Sequence, residues 1–294
     1  TMKRKRKAMW IAISSVVLVI VGVAAYLGLP HSPCRKQFER AVSQGAASAA
    51  AVCGVFTEED IAGLPLPVQK YFRYCGYLGT PKTAYMKVSF SDVDFMMSKD
   101  RTIRIDYEQF NLAERPVRYA LISSSLFGIP FEGLDSYEDG TGSMKGMLAK
   151  VIPLFDQRGE EMDRACLVTW LAECPMLPSA MLQDFVTWEE VDGTHAKATL
   201  SYKGVTAGGI FTFSESGELL SFRTSDRTAI DMDGTKTEAD WSALYLDYRP
   251  ANGVLQPSVL QSVWHYPEGD CVYFNQNRSP VKIQYDQIKT AAGN

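Results

Sequence analysis

Apolar and polar side chains alternate along most of the stretch from Asp184 to Gln287. In a representative segment, the apolar face is formed by Ala196, Ala198, Leu200 and Tyr202. Glycine accepts the positive φ of tight hairpin turns, and glycine-bearing pairs recur at Asp192-Gly193, Lys203-Gly204, Ser216-Gly217, Asp233-Gly234, Asn252-Gly253 and Glu268-Gly269. Alternation bounded by such turns is typical of strands, so the stretch predicts an antiparallel meander of about seven strands.

A second set of alternating segments lies between Ala84 and Val151 and predicts about five more strands. Helical patterns separate and precede these sets. Residues 63–76 place Val68, Tyr71, Phe72 and Cys75 on one stripe, with Pro67 near the start and Gly76 just past the end. Residues 160–174 begin with acidic side chains, which suit a helix N-terminus, and a short helix is predicted for 178–183.

The order of these elements predicts a β-rich α+β fold. We expect a curved antiparallel sheet, half-barrel or barrel-like, of about 11–12 strands with helices on its concave face, because an open flat sheet of that size would twist and curl. One N-terminal transmembrane helix completes the predicted fold.

Residues 8–29 carry no charge. At about 1.5 Å per residue they span roughly 33 Å, which matches the about 30 Å core of a bilayer. The basic run Lys3 to Lys7 is expected to stay in the cytoplasm, which places the main domain outside the cell membrane. The alternative is a signal peptide cleaved near Ala25.

The sequence therefore divides into a cytoplasmic basic tail (1–7), a single-pass transmembrane helix (8–29), a partly helical spacer (30–62) and an extracytoplasmic β-rich domain (63–290). Within the spacer, a short helix is predicted between Phe38 and Val55.

The formal net charge is −4, and removing the five basic residues of the tail leaves −9 for the rest of the chain. An acidic body argues against a nucleic-acid partner. The spacing of the six cysteines fits no metal-binding pattern. We expect mainly buried free thiols, with a single disulfide as the alternative.

Four segments of the chain resemble an uncharacterised family of bacterial and archaeal proteins, a domain of unknown function. They are the LPLPVQKYF segment at 64–72, the DSYEDGTGSM segment at 135–144, the RACLVTWLAE segment at 164–173 and the stretch from Trp241 to Arg249. The resemblance covers roughly 60–288 and implies no activity. The element order is also similar to that of the lipoprotein carriers and receptors of bacterial envelopes, which implies a curved sheet with helices filling an apolar cavity.

The sequence contains no catalytic or phosphate-binding signature, and we expect no cofactor and no metal. His265 is a weak candidate for a general base. Asp231, Asp233 and Glu238 are an incomplete calcium pattern, and a hairpin turn is favoured there.

Large aromatic side chains with a few polar neighbours form the candidate ligand-binding set. Its members are Trp170, Glu173, Arg223, Trp241, Asp247, Tyr248 and Trp264. An apolar pocket with few polar groups is typical of a site for a lipid-like ligand. The hypothesis is a membrane-anchored envelope protein that binds an apolar or lipid-like ligand, and the sequence favours binding over catalysis. The alternatives are an interaction scaffold in an envelope complex and an envelope lipid or glycan hydrolase acting through two close carboxylates.

Overall fold

The computed structural model describes residues 2–50, 52–98, 101–231 and 234–286. Asp233, which belongs to a predicted turn and to the incomplete calcium pattern, lies outside the described residues. The expected end of the domain, at 287–290, also lies outside them. The helices are α1 (Met2–Gly28), α2 (Pro33–Ser48), α3 (Glu58–Ile61), α4 (Leu66–Cys75), α5 (Glu160–Glu173) and α6 (Pro178–Met181), with a 3-10 turn at Cys174–Met176.

Six strands precede α5. They are β1 (Tyr85–Ser98), β2 (Arg101–Leu112), β3 (Val117–Leu126), β4 (Ile129–Glu138), β5 (Thr141–Leu148) and β6 (Ile152–Gln157). Ten described strands follow α6: β7 (Val186–Asp192), β8 (His195–Tyr202), β9 (Val205–Phe213), β10 (Leu219–Thr224), β11 (Thr228–Ile230), β12 (Lys236–Glu238), β13 (Asp240–Ala251), β14 (Val254–Tyr266), β15 (Gly269–Asn275) and β16 (Lys282–Tyr285).

A 14-stranded antiparallel sheet dominates the molecule. Its order is β6-β5-β4-β3-β2-β1-β15-β14-β13-β10-β9-β8-β7, and β16 pairs with the other end of β1. The pairing of β1 with β15 joins the two sequence halves, through Phe95 opposite Phe274. Strands β6 and β7 end the strand order, so the sheet is open rather than a closed barrel. Strands β11 and β12 form a separate hairpin.

The predicted fold class is confirmed, but the sheet is larger than expected. The expected count was about 11–12 strands, whereas 16 are described. Strands β11 and β12 have three residues each, too few for alternation to be recognised. The segment that forms β6, Ile152–Gln157, carries little alternation and was missed.

Two helices fill the concave side of the sheet. Helix α4 buries Val68, Tyr71 and Phe72 completely, as its apolar stripe predicts, and Gly76 ends it with a φ of 78°. Helix α5 contacts β3, β4, β5 and β9, so it bridges the two halves of the sheet. Trp170 of α5 is buried and donates its indole N–H to the Leu112 carbonyl over 3.1 Å.

Helix α2 lies against the opposite face of the sheet. It starts at Pro33, five residues before the predicted start, because the Ser32 hydroxyl accepts the Arg35 amide and caps it. Phe38 packs against Leu121 and Leu134. The segment expected to be a spacer therefore carries a helix that is fastened to the sheet.

Helix α1 is exposed along its length and is long and apolar enough to cross a membrane. That property fits either a membrane anchor or a signal sequence. Four cysteines, Cys34, Cys75, Cys166 and Cys174, are buried free thiols, and Cys53 is exposed.

Candidate ligand-binding site

A cavity of about 770 Å³ lies between the concave face of the sheet and α5. This volume is within the range of about 300–1,000 Å³ that is usual for ligand pockets. Strands β1 to β6 form one wall and β13 to β15 the other. The apolar lining is rich in flexible and aromatic side chains, including Phe90, Phe95, Met96, Phe131, Met144, Phe155, Met162, Trp241, Tyr245, Trp264 and Phe274.

A buried arginine organises the polar part of the cavity. The side chain of Arg118, on β3, is only 3% exposed. Its Nε lies 2.9 Å from Glu173 Oε2, on α5, and one terminal nitrogen lies 2.5 Å from Asp135 Oδ2, on β4. The other terminal nitrogen donates to the Tyr107 hydroxyl. One guanidinium thereby ties three strands to the helix that crosses them.

The environment shifts the pKa values of this cluster. Burial raises the pKa of Glu173, and this effect outweighs the lowering by Arg118 and by the Asn111 amide, which donates to Glu173 over 2.7 Å. Burial disfavours the charge on Arg118, but the carboxylates of Glu173 and Asp135 outweigh it and raise its pKa well above the ordinary value. Both carboxylates are therefore committed to one permanent cation.

A second arginine lies at the mouth of the cavity. The Arg227 guanidinium carbon is 4.4 Å from the ring centre of Trp241 and 5.5 Å from that of Trp264. One terminal nitrogen donates to the Thr169 hydroxyl over 3.1 Å, while the buried Nε has no hydrogen-bond partner. None of the ion pairs formed between described residues includes Arg227. This cation is therefore held by aromatic faces, and its guanidinium has more N–H donors than the one that binds Thr169.

The β11–β12 hairpin covers part of the mouth. Thr228, Ala229 and Ile230 of the hairpin line the cavity. The Gln157 side chain donates to the Asp231 carbonyl over 3.1 Å, and Lys236 pairs with Glu161 at the start of α5. These polar contacts are exposed and contribute little stability. Ala229 is buried in the main core and Ile230 packs against it, so apolar packing holds the hairpin over the cavity.

Three residues of the candidate set, Glu173, Trp241 and Trp264, line this cavity. Trp170, on α5, packs in the core against Phe185 and does not line the cavity. Tyr248 packs edge-on against Tyr74 of α4 and donates to the Leu219 carbonyl.

The other two candidates are on the surface. Arg223 is exposed and pairs with Asp240 at 3.0 Å. Asp247 has a φ of 53°, pairs with Arg249 and accepts the Ser258 hydroxyl. Neither lines the cavity.

The sequence analysis did not select Arg118, Asp135, Tyr107 or Arg227. The polar residues Arg118 and Asp135 stand in predicted strands, but alternation alone does not say which face is concave. Arg227 follows β10 in a segment without regular alternation. The one available signal was their charge, since a charged side chain near strands of a β-rich domain needs a partner when it is buried.

The structure brings His265 into a chain of hydrogen bonds on the outer face of the sheet. Its Nε2 is 2.9 Å from Ser242 Oγ and its Nδ1 is 2.7 Å from Asp270 Oδ1. These residues alternate with Trp241, Trp264 and Cys271, which line the cavity, so the chain faces away from it. Ser242 is buried, and in the described residues no group of His, Cys, Asp and Glu is suited to hold a metal ion.

The comparison with curated proteins finds no match. Among solved structures, the chain is similar to a LolA superfamily protein from Nitrosomonas europaea. The sequence identity is 8%, the TM-score is 0.33, and the alignment covers 75% of this chain and 90% of the other.

A model of a family of unknown function, DUF6544, matches residues 54–276, which include α4, all strands from β1 to β15 and the whole cavity. This match confirms the resemblance drawn from the four sequence segments. The chain belongs to this family of unknown function.

Proposed function

We propose that the protein is held at a membrane by α1 and binds an amphiphilic lipid in the cavity between the sheet and α5. The single observation that carries the proposal is the cavity itself. It has the volume of a ligand site and walls of aromatic and methionine side chains. Methionine is flexible and polarisable, so such walls adapt to an acyl chain.

The cavity has two polar regions that a ligand would meet differently. At its base, Arg118 is paired with two carboxylates, Glu173 and Asp135, so this region offers no unpaired positive charge. Arg227 lines the cavity, has no ion-pair partner among the described residues and uses one terminal nitrogen in its hydrogen bond to Thr169. The other carboxylates that line the cavity, Asp231, Glu238 and Glu268, are exposed to solvent and so interact weakly with a buried group.

The polar end of the ligand is accordingly assigned to Arg227. A guanidinium binds carboxylates and phosphates through charge-assisted hydrogen bonds. We therefore propose a ligand with an acyl chain and an acidic or strongly hydrogen-bond-accepting head.

Ligand binding is tested with the purified full chain in detergent, by native mass spectrometry before and after solvent extraction. A lipid that copurifies and is lost on extraction supports the proposal. Displacement of a fluorescent fatty acid then compares palmitate with hexadecanol. A hydrogen bond to a charged group contributes about 1.5–3 kcal/mol, so Arg227→Gln should weaken palmitate binding by about 10- to 100-fold and leave hexadecanol nearly unchanged.

A pair of variants on one strand controls for general damage. Ala243 lines the cavity, whereas Leu246 is three positions along β13 and exposed on the outer face. Ala243→Phe should narrow the cavity and weaken binding, and Leu246→Phe should bind like the unchanged protein. Equal binding by both variants would place the ligand elsewhere and refute the proposal.

A second candidate function is ester hydrolysis at Ser242. The specific observation in its favour is the Ser242–His265–Asp270 hydrogen-bond chain, which has the connectivity of a nucleophile, a base and an orienting acid. Against it, Ser242 pairs with Val263 in the middle of the β13–β14 ladder, where backbone N–H groups are used between strands. An oxyanion needs free donors beside the nucleophile.

A fluorophosphonate probe separates the two candidates. Labelling of the unchanged protein that is lost in Ser242→Ala would establish a reactive serine. We expect no labelling, and a stability loss in Ser242→Ala of about 0.5–1.5 kcal/mol from the missing hydrogen bond.

A further inference from the structure

Two neighbouring hairpin tips expose large apolar side chains. Phe127, in the β3–β4 turn, is 89% exposed, and Val151 and Ile152, at the β5–β6 turn, are 56% and 51% exposed. The turns are adjacent, because the Ala149 amide donates to the Pro130 carbonyl over 2.8 Å. A contiguous group of exposed apolar residues marks a surface that is covered by a partner. We call the turns at 127–129 and 149–152 the apolar edge.

The apolar edge lies where α1 leaves the domain. Lys150, between the exposed residues, is itself buried and donates its ammonium to the carbonyls of Tyr26 and Leu29 at the end of α1. Its ammonium is also 5.6 Å from the centre of the Tyr26 ring. The last turn of the apolar helix and the apolar edge are therefore in direct contact.

Helices α1 and α2 leave the apolar edge in different directions. Helix α2 begins beside the apolar edge, where Arg35 and Ser124 line a common pocket with Lys150. It ends at the opposite edge of the sheet, where Arg115, in the β2–β3 turn, donates to Ser48. Residues 3–26 of α1 are exposed, and the contacts of α1 with the domain lie at its last turn, so α1 extends away from the apolar edge.

The cavity opens at this same edge. Met96, Met97 and Ser98, at the end of β1, line it, as does Glu268 in the β14–β15 turn. The start of β2 lies beside the β3–β4 turn, since the guanidinium carbon of Arg101 lies 4.5 Å from the centre of the Phe127 ring. The exposed apolar tips thus stand beside the mouth of the cavity.

We propose that the apolar edge docks on the lipid bilayer that α1 enters, with Phe127 and Val151 inserted at the interface and the cavity mouth facing the membrane. Apolar side chains of this kind are buried at the boundary between headgroups and acyl chains. The body of the protein carries a net charge of −9 after the basic tail, so apolar insertion drives the contact rather than attraction to anionic lipid. Docking does not depend on what the cavity binds.

The test uses the full chain in nanodiscs of phosphatidylcholine, with an environment-sensitive dye on one introduced cysteine in a Cys53→Ser, Cys271→Ser background, in which the remaining four native cysteines are buried. The dye sites are Phe127→Cys, Val151→Cys and, as the matched control, Val191→Cys. Val191 is 54% exposed on β7, beside Glu190, which accepts the Leu66 amide of α4. Substitutions at exposed positions of this kind change stability little, so folding is retained.

Nitroxide-labelled lipids should quench the dye several-fold more strongly at positions 127 and 151 than at 191, equally in phosphatidylcholine and in mixtures with phosphatidylglycerol. Equal, weak quenching at all three sites would overturn the proposal. So would dye emission shifted at 127 without lipid quenching, together with a dimer in native mass spectrometry, which would assign the edge to a second copy. A lipid-free cavity with strong quenching at 127 would leave docking standing and refute only the proposed ligand function.

Discussion

Replacing Arg118 by methionine tests the central polar cluster, because this residue holds two carboxylates and a hydroxyl at once. Methionine has a similar length but no charge. In Arg118→Met, Glu173 keeps the Asn111 amide, and Asp135 loses its 2.5 Å partner. Two carboxylates are then left partly buried without a cation.

Removing one partner of a buried ion pair costs about 3–5 kcal/mol, since an uncompensated charge stays in the interior. The side chain of Arg118 is almost fully buried and its acidic partners are largely so. A loss of 1 kcal/mol lowers the melting temperature of a domain of this size by about 2–4 °C. We therefore expect a decrease of about 6–20 °C.

The loss should depend on pH in a defined direction. Burial already raises the pKa of Glu173 above 4.5, and removing Arg118 takes away a group that lowers it. A carboxyl with a raised pKa in the folded state binds more protons when folded. Its contribution to stability is therefore greatest below about pH 4.5 and is lost as the pH rises through the folded pKa. Arg118→Met should be more damaging near about pH 8 than near about pH 5.

Urea denaturation followed by tryptophan fluorescence measures this difference. Arg223→Met is the matched control, because Arg223 also pairs with an aspartate, at 3.0 Å, but is exposed. Exposed ion pairs contribute about 0–1 kcal/mol. Adding Glu173→Gln to Arg118→Met should restore part of the stability and weaken the pH dependence. Equal losses in Arg118→Met and Arg223→Met, or a loss that shrinks as the pH rises, would refute the reasoning.

Thiol labelling and two further substitutions test separate parts of the fold. Exposed Cys53 should react with maleimide in the folded protein. Cys75 should react only after unfolding, because it is buried and burial raises the pKa of its thiol to about 12. Digestion and mass spectrometry measure both labelling rates, and equal rates would contradict the packing of α4. Tyr71→Phe removes a buried 2.8 Å hydrogen bond to a backbone carbonyl after α5 and should cost about 0.5–1.5 kcal/mol in urea. In Gly142→Ala, the new methyl group would lie 2.7 Å from a backbone oxygen of α5, so a loss of about 1–3 kcal/mol is expected, whereas Gly63→Ala, in open space, is the control and should change little.

The sequence by itself determined the elements whose periodicity is long and regular. Alternation in β8 placed Ala196, Ala198 and Leu200 on a fully buried face, and the stripe of α4 was buried as predicted. These outcomes follow from local geometry, since side chains repeat every two residues in a strand and every 3.6 in a helix. The α+β order of elements and the apolar character of α1 could also be predicted, because both depend on local patterns in the sequence.

Only the tertiary structure decided which residues meet in the cavity. Arg118, Asp135 and Glu173 come from β3, β4 and α5, and their contact depends on strand register and on where α5 crosses the sheet. Arg223 and Trp241 are on neighbouring strands, yet Arg223 pairs with Ser242 and faces outward. At Asp247 the positive φ interrupts the strand geometry. A one-residue change of register exchanges the two faces of a strand, and alternation carries no information about register. The residues that form the site could therefore be identified only from the tertiary structure.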